Sequence, residues 1–183
     1  MATAPDLIVV SGLPGAGKST VGRVIADRIG ATFLDKDDFL EALLDTDDAP
    51  RQVLSRRADE HFLDAVASAP TAVAVSFWRR SEVSATSGTP IDRFPADRHV
   101  IEVWCDCPVH TAHARFFARS RHSGHGDDRR NRAETLEQLQ RLAELGPLRL
   151  GPLIRVDTNA PLDADWLVRQ LDIALPPGSA HRE

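Results

Sequence analysis

The 183-residue chain has almost no lysine. Of its 22 basic side chains only Lys18 and Lys36 are lysine, and the rest are arginine. A compact, flexible ammonium does what a planar guanidinium does not, so both positions invite attention. Lys36 is either a second such place or an incidental surface lysine. No apolar run approaches the ~20 residues needed to span a bilayer. The opening "MATAPD" lacks the basic and long apolar stretches of a secretory signal. These absences predict a cytoplasmic protein with no membrane partner. Positive charge is also short: the net charge of −5 argues against a nucleic-acid partner, which attracts a broad basic face.

Cysteine is scarce as well. Cys105 and Cys107 are separated by one residue at the end of a predicted strand, where the extended backbone holds their Cα atoms about 6.6 Å apart, at the far limit of disulfide geometry. A mutual disulfide is therefore not expected, and both are read as reduced. His122 and His125 follow later, but C-x-C with H-x-x-H is not a zinc spacing of any strength. Small buried thiols are the default.

What the chain does have is the stretch "GLPGAGKST", Gly12 to Thr20, directly after the apolar run Leu7 to Val10. The β-branched run reads as a buried parallel strand. From Thr20 to Ile29 the apolar residues Val21, Val24, Ile25 and Ile29 fall at near-helical spacing. The pattern G-x-x-x-x-G-K-[ST] between a strand and a helix is that of a Walker A phosphate loop. Gly12, Leu13, Pro14, Gly15, Ala16 and Gly17 would wrap backbone N–H groups around phosphates at a helix N-terminus. Lys18 would reach the β- and γ-phosphates, and the Ser19 hydroxyl would take a Mg²⁺ position, with Thr20 completing the loop. A nucleoside-triphosphate site follows.

The rest of the sequence alternates strand and helix. Strands are expected at Thr32–Leu34, Thr71–Trp78, His99–Asp106 and Leu153–Thr158. Helices are expected at Phe39–Leu44 (capped by Asp37 or Asp38), Arg51–Ala67, Pro108–Ser120, Ala133–Leu145 and Asp163–Leu175. Residues 81–97 read as a long loop, and "RHSGHGDDRRNR" as a polar, mobile segment with little to pack. One domain, residues 1–175, and a flexible tail at 176–183 result. Such alternation gives a parallel sheet with its ligands at the carboxyl ends of the strands. The phosphate loop, Asp35–Asp38, Trp78–Arg80, Cys105–Pro108 and Asp157–Thr158 should therefore meet at one crevice. Trp78 beside Arg79 and Arg80 reads as an apolar wall with an anion or hydroxyl contact for a substrate, or Trp78 packs under the loop and both arginines face solvent.

The acidic turn Asp35-Lys36-Asp37-Asp38 is the second chemical cluster. Phosphoryl transfer needs carboxylate near a metal ion and a base for the accepting hydroxyl. Asp35 and Asp37 could divide those tasks, or the turn could be a helix cap with solvated aspartates.

With the phosphate loop and the "FLDKDD" turn, the chain resembles the small P-loop kinases, among them gluconate kinase, shikimate kinase, chloramphenicol phosphotransferase and the kinase domain of polynucleotide kinase. "ARFFARSRHSGHGDD" is similar to the arginine-bearing helix that runs into their lid. The resemblance implies a three-layer α/β fold with a five-stranded parallel sheet ordered 2-3-1-4-5 and a lid at about 119–132. It implies ATP and Mg²⁺ as cofactors, Asp35 near the metal and Asp37 as base for the substrate hydroxyl. Lys18 would stabilise the moving phosphoryl, and Arg119 or Arg121 would close onto the phosphates. Arg115 would flank the nucleotide, with Asp157 and Thr158 beside the adenine. The implied activity is ATP-dependent transfer to a hydroxyl of a small molecule: a metabolite, a sugar-like compound or an antibiotic. The protein would be a monomer or homodimer. The third strand lacks the Gly-rich turn of shikimate kinases and ends without an acidic residue, so metal duty falls on Asp35. A kinase of nucleic-acid 5′ ends and a regulatory ATPase without acceptor are the competing readings.

Overall fold

A computed structural model describes residues 6–80, 82–83, 88–94 and 98–174. Residues 1–5, the expected tail 176–183 and much of the expected loop 81–97 lie outside the described residues. Five strands, β1 (Asp6–Gly12), β2 (Thr32–Asp35), β3 (Ala72–Val75), β4 (His99–Asp106) and β5 (Leu153–Asp157), form one sheet in the order β2-β3-β1-β4-β5. Every neighbouring pair is parallel. The helices are α1 (Lys18–Ile29), α2 (Lys36–Leu44), α3 (Arg51–Ser68), α4 (Val109–Ala118), α5 (Arg132–Leu145) and α6 (Ala164–Ala174).

The two-residue period of a strand divides β1 between two cores. Ile8 and Val10 face a layer with Ile25 of α1, Leu139 of α5 and Leu167 of α6. Leu7 and Val9 face the opposite layer, with Phe62 and Val66 of α3. All these residues are fully buried or nearly so. The run "LIVV" is apolar throughout because both of its faces are covered.

Three local departures from the sequence reading have physical causes. The helix after β2 begins at Lys36, with Asp35 and not Asp37 or Asp38 as its cap: Asp35 Oδ1 accepts from Asp37 N at 3.1 Å. Strand β3 stops at Val75, and Trp78 beyond it pairs in an isolated bridge with Thr89 while its indole enters the core. The segment 121–131 is packed, not loose. It forms short 3-10 turns at Ser123–His125 and Asp127–Arg129, and His125 is buried against α2.

One buried carboxylate fixes the frame behind the phosphate loop. Glu102 of β4 is fully enclosed and accepts from Ser11 Oγ at 2.5 Å and from the backbone N–H groups of Leu148 and Arg149 at 2.7 Å each. A buried charge is tolerable only when so satisfied. It ties the segment after α5 to the residue preceding Gly12.

Candidate active site

The phosphate loop joins β1 to α1 through three positive-φ glycines, Gly12 (139°), Gly15 (84°) and Gly17 (84°). A side chain at Gly15 would put Cβ 2.1 Å from the Ala112 carbonyl oxygen, and one at Gly12 would meet that of Cys105 at 2.8 Å. The loop is thus seated against β4 and α4 by backbone alone. Leu13 and Ala16 are buried beneath it, and Ala16 N donates to Leu13 O at 3.0 Å.

Lys18 bends back over the loop and donates to the carbonyls of Gly12 at 3.2 Å and Leu13 at 3.0 Å. Burial pushes its ammonium below the usual lysine range, with Cys105 and Asp37 opposing the shift. Ser19 Oγ, at the start of α1, donates to Asp35 Oδ2 at 2.6 Å. Asp35 is raised above the usual carboxylate range by burial, partly offset by that hydroxyl. The motif serine and the strand-end aspartate, far apart in sequence, meet at one point.

A cleft of ≈ 470 Å³ opens over this point. Pro14, Gly15, Gly17, Lys18, Ser19, Thr20, Asp35 and Asp37 line it, as do Arg115, Arg119 and Arg121. Gly12, Leu13 and Ala16 support it from behind. Asp37 is ion-paired with Arg121, whose other arm donates to Asp127 Oδ2 at 3.1 Å. Arg119 reaches the same oxygen at 3.5 Å and lies over the Phe116 ring. Burial depresses the Arg119 guanidinium. Arg115 donates to the Thr158 carbonyl at 3.0 Å, joining α4 to the end of β5. Asp157 lies outside this cleft, in a separate groove beside Asp106 and Cys107.

The expectation for Trp78, Arg79 and Arg80 is corrected. None lines the cleft. Trp78 is buried between Phe62 and Phe94, and its indole N–H donates to Val10 O at 2.9 Å. A large ring whose one polar group is satisfied belongs in a core. Arg79 donates to Gly88 O, and Arg80 to Gly146 O. Ser76, Phe77 and Gly88 face the cleft in their place. The cysteines are both free and buried, and burial lifts Cys105 to about 12. Among the described residues no cluster of three or more His, Cys, Asp or Glu could hold a metal ion, which leaves the CxC–HxxH idea without support.

Several lining residues had no motif to announce them. Arg51 and Ser55 come from α3, and Asp127 and Arg130 from the segment between α4 and α5. The only hint was spacing: Arg51, Ser55 and Asp59 recur every four residues, one face of a helix.

The family model described as an AAA domain (AAA_33) matches residues 7–145. The chain belongs to this family. A shikimate kinase of Moorella thermoacetica is 36% identical over 84 residues, which is 46% of this AAA_33 chain and 46% of that protein. The chain thus spans less than half the length of the curated relatives it matches. Among solved structures, a candidate kinase of Chloroflexus aurantiacus superposes with a TM-score of 0.75 at 24% identity, covering 94% of this chain and 100% of that one. The shikimate kinase of Acinetobacter baumannii, solved with shikimate, gives 0.59 at 20% identity, covering 93% of each. These likenesses show the fold, which is that of the small P-loop kinases. No described helix of this AAA_33 protein is long and apolar enough to cross a membrane.

Proposed function

We propose that the protein is an ATP-dependent kinase that moves the γ-phosphoryl group to a hydroxyl of a small molecule. The observation that carries this reading is the meeting of Ser19 Oγ with Asp35 Oδ2, 2.6 Å apart, in one cleft with Lys18 and Asp37. Asp37, a second carboxylate apart from the Ser19–Asp35 pair, lines the same cleft, where it can serve an acceptor hydroxyl. Kinase names among the relatives support the same class.

The residues fit a nucleotide and a divalent cation. Gly12 and Gly15 seat the loop against β4 and α4 at the N-terminus of α1 beside the cleft, and the Asp35 carboxyl, held high by burial, gains from a nearby cation. Ser19 and Asp35 would hold Mg²⁺, which when bound neutralises charge on phosphate oxygens. Lys18 swings from the Gly12 and Leu13 carbonyls to the β- and γ-phosphates. Arg119 and Arg121 exchange Asp127 for phosphate oxygens, and Arg115 flanks the nucleotide near Asp157 and Thr158. Asp37, released from Arg121, accepts the proton of the acceptor hydroxyl. The acceptor oxygen forms a bond to the γ-phosphorus as the bond to the β-bridging oxygen breaks, and ADP leaves.

ATP turnover measured alone, then with a panel of hydroxyl compounds, tests this. Stimulation with stoichiometric phosphorylation of one compound is expected. Turnover that no acceptor changes would identify a regulatory ATPase instead.

A further inference from the structure

The cleft is far more basic than the chain that contains it. Seven lysine or arginine side chains line it against three aspartates, in a protein of net charge −5. Those facing the phosphate loop, Lys18 and the arginines of α4 and the lid, have a triphosphate to meet. Lys36 and Arg51 do not, because they belong to the other wall, made by the first turns of α2 and α3.

Lys36 is held with unusual care. Its Nζ donates to Ser55 Oγ at 3.0 Å and lies 3.7 Å from Asp59 Oδ1. The side chains of Lys36 and Asp59 are both 13% exposed. Asp59 is fixed in turn: Thr89 Oγ1 donates to it at 2.6 Å, which leaves Ser76 Oγ to donate to Thr89, also at 2.6 Å. Thr89 and Ser76 are buried. Asp59 stands behind the wall, whereas Lys36 and Ser55 line the cleft. With Ser55 as its one hydrogen-bond acceptor and Asp59 at ion-pair distance, the Lys36 ammonium keeps donor capacity at the cleft that it lines. An ion pair whose only task was packing would be enclosed on every side. Here one end faces the space beside Asp37.

We propose that the acceptor carries an anionic group, a carboxylate or a phosphate, and that Lys36 together with Arg51 binds it while Ser55 and Asp59 position the Lys36 ammonium. The assignment rests on the kinase reading only for the acceptor's hydroxyl. An anion on this wall sets the rest of the molecule beside Asp37, the next residue along α2, where the hydroxyl must go.

Binding, not turnover, is the decisive readout, because it does not depend on transfer. With a non-hydrolysable ATP analogue and Mg²⁺ present, calorimetry compares glycerate and gluconate with glycerol and sorbitol, and adds glycerol phosphate as the phosphate arm. The wild-type protein is expected to bind at least one acid or phosphate and none of the neutral partners. Lys36→Gln should weaken that binding roughly 10- to 100-fold, the worth of a hydrogen bond to a charged group. Analogue affinity should hold, and Asp59→Asn should lie between. Arg51→Gln, at an exposed helix start, gives a second reading if Lys36→Gln lowers stability. Neutral compounds binding as tightly as the acids, or no compound binding, overturns the proposal. So does acid affinity unchanged in both Lys36→Gln and Arg51→Gln. Acid binding that depends on Lys36 without phosphorylation of any compound would instead remove the kinase reading and leave the anion site standing.

Discussion

Arg121, from the segment after α4, is ion-paired with Asp37 at the start of α2. In the proposed mechanism, the cation assigned to phosphate thus pairs here with the carboxylate assigned to the acceptor hydroxyl. Asp127 draws the same arginine and Arg119 and Arg130 besides, at 3.1 to 3.5 Å. Three guanidinium groups around one carboxylate leave positive charge that phosphate oxygens can claim. A nucleotide that pulls Arg121 away would leave Asp37 free to act.

The lid prediction follows from that exchange of partners. Binding of a non-hydrolysable ATP analogue should slow amide hydrogen exchange across residues 119–130, most at Arg119 to Arg121. Residues 123–125 should change least, because His125 is already buried against Glu41. Equal protection along the whole segment with and without analogue would remove the lid role.

The phosphate loop offers a pair of contrasting variants. Gly15→Ala places Cβ 2.1 Å from a backbone oxygen of α4 at a φ of +84°, so loop and helix must separate. Loss of nucleotide binding with a lowered melting temperature is expected. Lys18→Ala removes hydrogen bonds to the Gly12 and Leu13 carbonyls but no core packing, so it should melt near normally, while transfer falls ~10²–10³-fold for one lost preorganised charge. Normal transfer by a folded Lys18→Ala protein would contradict the phosphate role.

A pH dependence is built into the lid anchor. His125 Nε2 lies 2.8 Å from Glu41 Oε1, with Arg121 and Asp37 also facing it. Burial, helped by Arg121, lowers the imidazole from its ordinary 6.5 despite Glu41. The folded state therefore binds fewer protons than the unfolded chain just below that pH, and stability falls as pH drops through 6.5. Melting temperature followed downward from neutral pH should show this slope, and His125→Gln should flatten it. An unchanged slope in His125→Gln would assign it to other groups.

The sheet and the phosphate loop were legible because each rests on local signals. An apolar run covered on both faces, positive-φ glycines and a helix start all lie within residues 7–29. Asp35 and Asp37 were legible from the strand end they follow. Trp78 was misread because a tryptophan flanked by arginines looks like a pocket wall, and sequence does not show that Val10 supplies a carbonyl for its indole. The lid was misread as loose because its one buried anchor, His125, depends on a partner 84 residues away. Lys36 stood out by rarity alone, and its ties to Ser55 and Asp59 needed the packing of α2 on α3.

The two aspartates of the turn make the sharpest separation of roles. Asp37→Asn keeps the shape of the side chain and removes its basicity, so transfer should fall ~10²–10⁴-fold while nucleotide affinity stays near normal. A loose phosphoryl-transfer transition state asks less of the base, which favours the lower end. The variant also loses the ion pair to Arg121, so lid exchange without nucleotide should rise at Arg119 to Arg121. Asp35→Asn acts elsewhere. It weakens the acceptor for the Ser19 hydroxyl and the Asp37 backbone N–H, and it removes the charge that would hold a cation. Its defect should appear as a raised Mg²⁺ requirement, with acceptor KM little changed. Side-by-side titrations of Mg²⁺ and acceptor on both variants distinguish the roles. If Asp37→Asn transfers phosphate at the wild-type rate, Asp37 only anchors the lid through Arg121, and the proton leaves by another route.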